Sequence, residues 1–149
     1  MPVGKVFVDT NVLLYAHDRG DTGKAAQATA WLQALTAQQV ARINLQVLNE
    51  LAYVLLRKKW FDKTATAYAV VDEFSALGDT SITSVEVVRA RRIHETTGYS
   101  WWDCLLLASA LELGCRQFLS EDLQDGQIIE GLTIVDPFAH SPDQIPISR

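Results

Sequence analysis

A chain of 149 residues is long enough for one domain with a real hydrophobic core and too short for two. An apolar fraction of 48%, 21% charged residues and four prolines exclude an extended disordered protein. The formal charge of −5 excludes a protein that grips nucleic acid by bulk basicity, because backbone affinity of that kind comes from Lys and Arg neutralising phosphates.

No apolar run approaches the roughly 18 residues a membrane span requires. The first eight residues lead into a strand pattern rather than a charged leader ahead of an apolar segment, so a cytoplasmic location without membrane attachment is expected. The charge is uneven. Residues 1–75 carry seven acids and eight bases, whereas residues 76–149 carry eleven acids and five bases. Divalent cations held by some of those acids would offset much of the excess.

In chain order, Lys5 to Val8 is a short branched and aromatic run that stops at Asp9-Thr10-Asn11, where helix-capping residues take over. Helical patterns follow from about Asn11 to Ala16 and from Ala25 to Leu35, with Trp31, Leu32 and Leu35 at helical spacing. Residues 40–43 form a second strand candidate. Asn44 then caps a helix to about Lys58, whose buried stripe is Val47, Leu48, Leu51, Val54 and Leu55. Glu50 lies three residues from Val47 and four from Val54, so it points with that stripe and needs a partner.

Asp62 is expected to cap a helix through Leu77, Ser81-Ile82-Thr83 to form a third strand, and Val85 to about Thr96 a further helix. Gly98 ends that helix. Ser100-Trp101-Trp102-Asp103 has capping-box spacing and opens a helix through Leu113, before a stop at Gly114. Strands are expected over Arg116 to Leu119, ending at Ser120-Glu121-Asp122, and over Leu132 to Val135. From about Pro137 the chain loses periodicity, which divides it into a domain over residues 1–138 and a loosely ordered tail over 139–149. Strands joined by helical crossovers imply an α/β sandwich with a largely parallel sheet, whose strand C-termini form the usual ligand edge.

Asp9 and Asp122 follow two strands and can project at one edge; Asp103 lies in the first turn of its helix and Glu50 about two turns into another. Each has an ordinary alternative: a turn residue at Asp9, a capping-box member at Asp103, an acid at a helix start at Asp122, a core salt bridge at Glu50. Four convergent carboxylates repel one another, and protonation or an oxygen-seeking cation relieves that. Mg²⁺ or Mn²⁺ fits the need, as one ion or two. His17, His94 and His140 are scattered without ligand spacing, and Cys104 and Cys115 sit in or beside apolar helical patterns as buried thiols. A carboxylate-held cation suits phosphoryl hydrolysis by activated water.

Four segments carry a resemblance. Phe7 to Ala16 (FVDTNVLLYA), Gln46 to Leu51 (QVLNEL), Tyr99 to Ala110 (YSWWDCLLLASA) and Leu119 to Gly126 (LSEDLQDG) look, in order, like the motifs of the PIN-domain family. The likeness covers roughly residues 5–138 and is closest to the small VapC-like ribonuclease toxins of bacterial toxin–antitoxin pairs. It implies a three-layer α/β sandwich with about five strands, metal-dependent cleavage of RNA phosphodiesters, dimerisation, and a cognate antitoxin. Carried over by position, Asp9, Glu50 and Asp103 match the family's most constant acids and Asp122 the fourth. Asn11 and Ser120 match polar residues that orient them, with Thr10 beside them in a supporting role. Asp125 matches no universally used ligand and is expected to support through an outer-sphere water.

Lys58, Lys59, Lys63, Arg89, Arg91 and Arg92 are candidate RNA contacts, with a solvated helical surface as the plain alternative. Trp101 and Trp102 are expected in core or interface packing. A dehalogenase-like phosphatase would want an Asp where Asn11 stands, and a nucleotide-binding fold a glycine-rich turn after the first strand, which Asp9 to Leu13 lacks. A structure-selective or DNA-cutting nuclease, and a non-catalytic module that binds RNA or antitoxin, fit the same residues and stay open.

Overall fold

The structure is a computed structural model that describes residues 4–143. Strand β1 (Lys5–Val8) leads into helices α1 (Thr10–Tyr15) and α2 (Thr22–Ala37), then strand β2 (Ala41–Arg42) and helices α3 (Leu45–Lys58) and α4 (Thr64–Phe74). Helices α5 (Ser84–Thr97) and α6 (Trp101–Glu112) precede strands β3 (Cys115–Leu119), β4 (Ile128–Ile129) and β5 (Leu132–Val135). The five strands lie in the order β2-β1-β3-β5-β4, all parallel except β4, which runs antiparallel to β5. The fold is therefore the expected α/β arrangement around a largely parallel five-stranded sheet.

Consecutive β1 residues Val6, Phe7 and Val8 are all 0% exposed. Alternate side chains in a strand point to opposite faces, so both faces of the sheet are covered, as parallel sheets require. Phe7 and Phe118 face one another across the β1–β3 pair with stacked rings 5.3 Å apart. Helix α6 is buried without a break from Cys104 to Ala110, which explains its lack of an exposed polar stripe. Cys104 and Cys115 are buried free thiols, and burial pushes the Cys115 thiol up to about 12.

Asn44 joins two helices. Its side-chain oxygen accepts from Val47 N (3.0 Å) as the N-cap of α3, while its amide donates to Ser109 Oγ of α6 (3.0 Å). The two helices that bear Glu50 and Asp103 are thus pinned to each other by a residue 1% exposed.

Two expectations need correction. Ser81-Ile82-Thr83 is not a strand: Thr83 and Glu86 form a reciprocal capping box that starts α5, and the capping geometry takes the place of a ladder. The chain does run beside β2, but slightly earlier, where Ile43 N and Leu45 N donate to Leu77 O and Thr80 O. The fifth strand is instead β4, two residues long and without a periodic pattern to reveal it. Asp62 does not cap α4; Lys63 holds the N-cap position with no side-chain bond, and Ser75–Leu77 tighten into a 3₁₀ turn. Of the core or interface packing expected for Trp101 and Trp102, exposures of 36% and 59% leave the interface alternative.

Part of the expected loose tail is tied down. Pro137 O and His140 O accept from Trp31 Nε1 (2.9 and 3.0 Å), and His140 Nε2 lies 2.7 Å from Asp125. Residues 144–149 lie outside the described residues. Among the described residues no helix is long and apolar enough to cross a membrane.

Candidate active site

Strand β1 has β2 on one side and β3 on the other, so the chain order reverses between β1 and β3. At such a switch point the loops leaving the strand C-termini diverge and open a crevice. Asp9 leaves β1 there, and Ser120 to Asp122 leave β3. The ladder continues into the site: Asp9 N donates to Leu119 O (3.0 Å) and Ser120 N to Val135 O (3.0 Å). The backbone of these residues is therefore held by the sheet itself.

Asp9 is 5% exposed and is the N-cap of α1, its Oδ1 accepting from Thr10 N (2.7 Å). Its other oxygen accepts from Ser120 Oγ (2.8 Å) and Asn11 Nδ2 (3.3 Å). The Asn11 amide reaches on to Asp122 Oδ2 (3.0 Å), and its carbonyl accepts from Glu121 N (3.4 Å). One asparagine thereby bridges two acids that are 113 positions apart in sequence. Thr10 Oγ1 donates to Glu50 Oε2 (2.7 Å) and Gln46 Nε2 to Glu50 Oε1 (3.1 Å), so the half-buried Glu50 has the partners its position demanded. Asp103 enters from the first turn of α6, where its own N–H is capped by Ser100 Oγ (3.2 Å).

Burial pushes the Asp9 carboxyl up from 3.8 to about 7, against the lowering effect of its bonds from Ser120 and Thr10; the negative charges of Asp103 and Glu50 add to the rise. Asp103 is raised as well, first by burial and then by Asp122 and Glu50, with Ser100 opposing. Asp103 is thus within electrostatic reach of the other three acids. The four are not in mutual ligand contact: among the described residues no three His, Cys, Asp or Glu side chains stand close enough to hold a metal ion jointly. Asp9, Glu50 and Asp122 instead rest on hydrogen-bond donors from Thr10, Asn11, Gln46 and Ser120, which hold them in place against the repulsion between like charges. An all-oxygen donor set with two protonation-prone members fits a hard divalent cation, which would replace the proton as the source of compensating charge.

The PIN-domain family model matches residues 6–124, which includes all four acids. The chain belongs to the PIN-domain family. No curated protein sequence matches it. Among solved structures, a toxin–antitoxin complex from Klebsiella pneumoniae aligns at 21% identity over 89% of this chain and 98% of that one, with a TM-score of 0.61. VapBC2 from Rickettsia felis, bound to a DNA fragment from its promoter, aligns at 17% identity over 87% and 96%, with a TM-score of 0.62. The Sarcin-Ricin loop cleaving toxin VapC20 of Mycobacterium tuberculosis aligns at 22% identity over 76% and 87%, with a TM-score of 0.56. At these identities the likeness establishes that they share the PIN fold with this chain.

Other expected site residues of this PIN domain are more dispersed. Asp125 is turned away from the four acids: it accepts from Asp136 N (2.9 Å) and faces His140. Partial burial acts to raise its pKa, but those two partners hold it below the ordinary carboxylate value. Arg89 pairs with Glu112 (2.7 Å) and Glu130 (3.2 Å), and Arg92 with Glu130 (3.0 Å). Glu112 ends the helix that Asp103 begins, about 14 Å away along the axis at 1.5 Å per residue, so these arginines lie far from the acids. Lys58, Lys59 and Lys63 are exposed around the end of α3 and the start of α4, and Arg91 is exposed on α5.

Two contributors escaped sequence reasoning. Gln46 precedes Glu50 by one helical turn, a spacing at which their side chains meet, so that signal was present. Lys24 is ion-paired with Glu121, next to Asp122, and lies 4.6 Å over the Tyr15 ring and 4.9 Å over Phe138. That contact closes α2 onto the β3 loop, and nothing local in the sequence announces it.

Proposed function

We propose that this PIN domain is an endoribonuclease that depends on Mg²⁺ or Mn²⁺, as one or two ions, and acts as the toxin of a toxin–antitoxin pair. The observation that carries the reading is Asp9: a buried carboxyl at the switch point, its pKa near 7, with Glu50, Asp103 and Asp122 around it. A group so placed costs stability unless a cation or proton balances it, and such cost is typical of functional sites. Asp9, Glu50, Asp103 and Asp122 would hold the ion by turning their side chains toward one another from the spacing seen here. When bound, it supplies an activated water and positive charge for the phosphate oxygens.

The chain's own residues set the rest. Ser120 and Asn11 orient Asp9, Asn11 also orients Asp122, and Thr10 with Gln46 fixes Glu50. The Ser120 hydroxyl donates to Asp9, so it is engaged as an orienting group rather than deprotonated by a neighbouring base. The histidines have other surroundings: His17 packs edge-on against Phe61 and Phe74, His94 against Trp101, and His140 faces Asp125. This arrangement favours attack by water over a covalent enzyme intermediate.

The proposal that the substrate is RNA, and that an antitoxin inhibits the enzyme, is supported by the PIN fold and by what the Klebsiella, Rickettsia and Mycobacterium proteins are described as doing. A homodimer is proposed as well, supported by exposed apolar side chains such as Tyr53, Tyr68 and Trp102. The test is cleavage of matched single-stranded, hairpin and duplex RNA and DNA, with EDTA followed by Mg²⁺ or Mn²⁺. Loss in EDTA with recovery on RNA supports the reading; EDTA-resistant hydrolysis by pure protein, or cleavage confined to DNA, defeats it.

A further inference from the structure

Helix α3 ends at Lys59, whose left-handed backbone (φ 53°) turns the chain so that Trp60 follows at once on the other side of the cap. The half-buried Trp60 then separates two cavities and lines both. One, of about 190 Å³, is also lined by Asn11, Leu14, Tyr15, Asp18 and Lys58. The other, of about 280 Å³, is lined by Arg19, Phe61, Asp62, Lys63 and Thr66, and the two adjoin along Trp60 as one groove. Asn11 is the same residue that bridges Asp9 and Asp122, so the groove begins at the carboxylate edge.

We infer that this groove holds single-stranded RNA leaving the carboxylate edge, with an unstacked base on the Trp60 ring and phosphates on Lys58, Lys63 and Arg19. The inference rests on the ribonuclease reading above and adds the path of its substrate. Lys58 Nζ already lies 5.5 Å over the Trp60 ring. Lys58 by itself needs no ligand, because a cation in the last turn of α3 complements the helix dipole. That explanation does not reach Arg19, from the α1–α2 turn, or Lys63, from the cap of α4. Three cations from three segments converge on a groove that also contains Asp18 and Asp62, and Asp18 is already engaged by Gly20 N (2.8 Å).

Basic side chains along a groove with an aromatic platform form the standard arrangement for single strands, whose bases stack on the ring while the backbone is tracked electrostatically. The larger cavity beside β2 offers no such combination: its Arg42 guanidinium is committed to Gln39 O and Ala41 O.

The test measures binding of a labelled single-stranded RNA to full-length Asp9→Asn protein, which keeps the strand uncut, over a range of salt concentrations. Trp60→Ala is expected to weaken binding about 5- to 100-fold and Trp60→Phe to retain most of it, while a duplex of the same sequence shows little dependence on Trp60. Lys58→Ala and Lys63→Ala, at exposed positions where folding is not at issue, should each reduce the slope of log affinity against log salt by about 0.7. If the lysine variants keep the parental affinity and slope, the groove is not the path, even if wild-type protein cleaves RNA normally. If wild type neither binds nor cleaves RNA, the ribonuclease reading and the inference fall together.

Discussion

Asp9 is a buried carboxyl directly after β1, and burial raises its pKa to about 7. The folded chain keeps its proton up to about pH 7, whereas the unfolded chain releases it near 3.8. The folded state therefore binds more protons between those values, and the stability contributed by this group is full below 3.8 and falls as pH rises toward 7. At about 1.4 kcal/mol per pKa unit the loss has a ceiling of roughly 4 kcal/mol. Metal-free protein should melt lower at pH 8 than at pH 5, and Asp9→Asn should flatten that dependence while lowering RNA cleavage at least about 10²-fold. Parallel melting curves for the two proteins across this range, or turnover within twofold of the parent, would remove Asp9 from the role assigned to it. Thr10→Val preserves shape but removes the 2.7 Å bond to Glu50. Loss of such an orienting bond should cost about 10- to 100-fold in activity or cation affinity with little change in melting temperature, read by kinetics and calorimetry side by side.

At the scale of elements, the site depends on how α3 and α6 are joined. Asn44→Ala removes the α3 cap and leaves Ser109 Oγ without its donor in the interior, so a loss of about 2–3 kcal/mol is expected in denaturant unfolding. A loss under about 0.5 kcal/mol would show that the joint is incidental. Gly78 has a comparable role beside it, against the backbone of the neighbouring Ile43. Its φ is +140°, and a Cβ there would lie 2.4 Å from Ile43 O. Gly78→Ala should therefore displace the segment that runs beside β2, a change that amide exchange at Ile43 and Leu45 would detect. The sequence showed Asn44 as a cap from its place before an apolar stripe. It could not show Ser109, because that partner belongs to a helix 65 positions away and is brought near by packing.

For the molecule as a whole, cations and subunits are the open variables. Mn²⁺ should raise the melting temperature more at pH 8 than at pH 5, because at the lower pH the Asp9 proton competes for the same position. An equal effect at both values would place cation binding elsewhere. Exposed Tyr53, Tyr68 and Trp102 are large apolar groups for a domain of this size. Sedimentation velocity is expected to give a dimer at micromolar concentration, and a monomer throughout that range would refute pairing.

The sequence by itself determined the parallel α/β class and nearly every helix, and it singled out the four acids as candidates. Those features rest on periodicity, capping residues and motif order, all of which are local. It misplaced a strand at Ser81-Ile82-Thr83 because three β-compatible residues look alike whether they form a ladder or end in a capping Thr. It missed β4 because two residues carry no period and are strand only through pairing with β5. The tertiary structure alone decided that Asn11 spans Asp9 and Asp122, that Lys24 holds the loop next to Asp122, that Arg89 and Arg92 face Glu130, and that Trp60 lines two cavities, one of them shared with Asn11. In each case the partners come from separate elements, and their meeting depends on the order in which the strands pair, which local residue preferences do not encode.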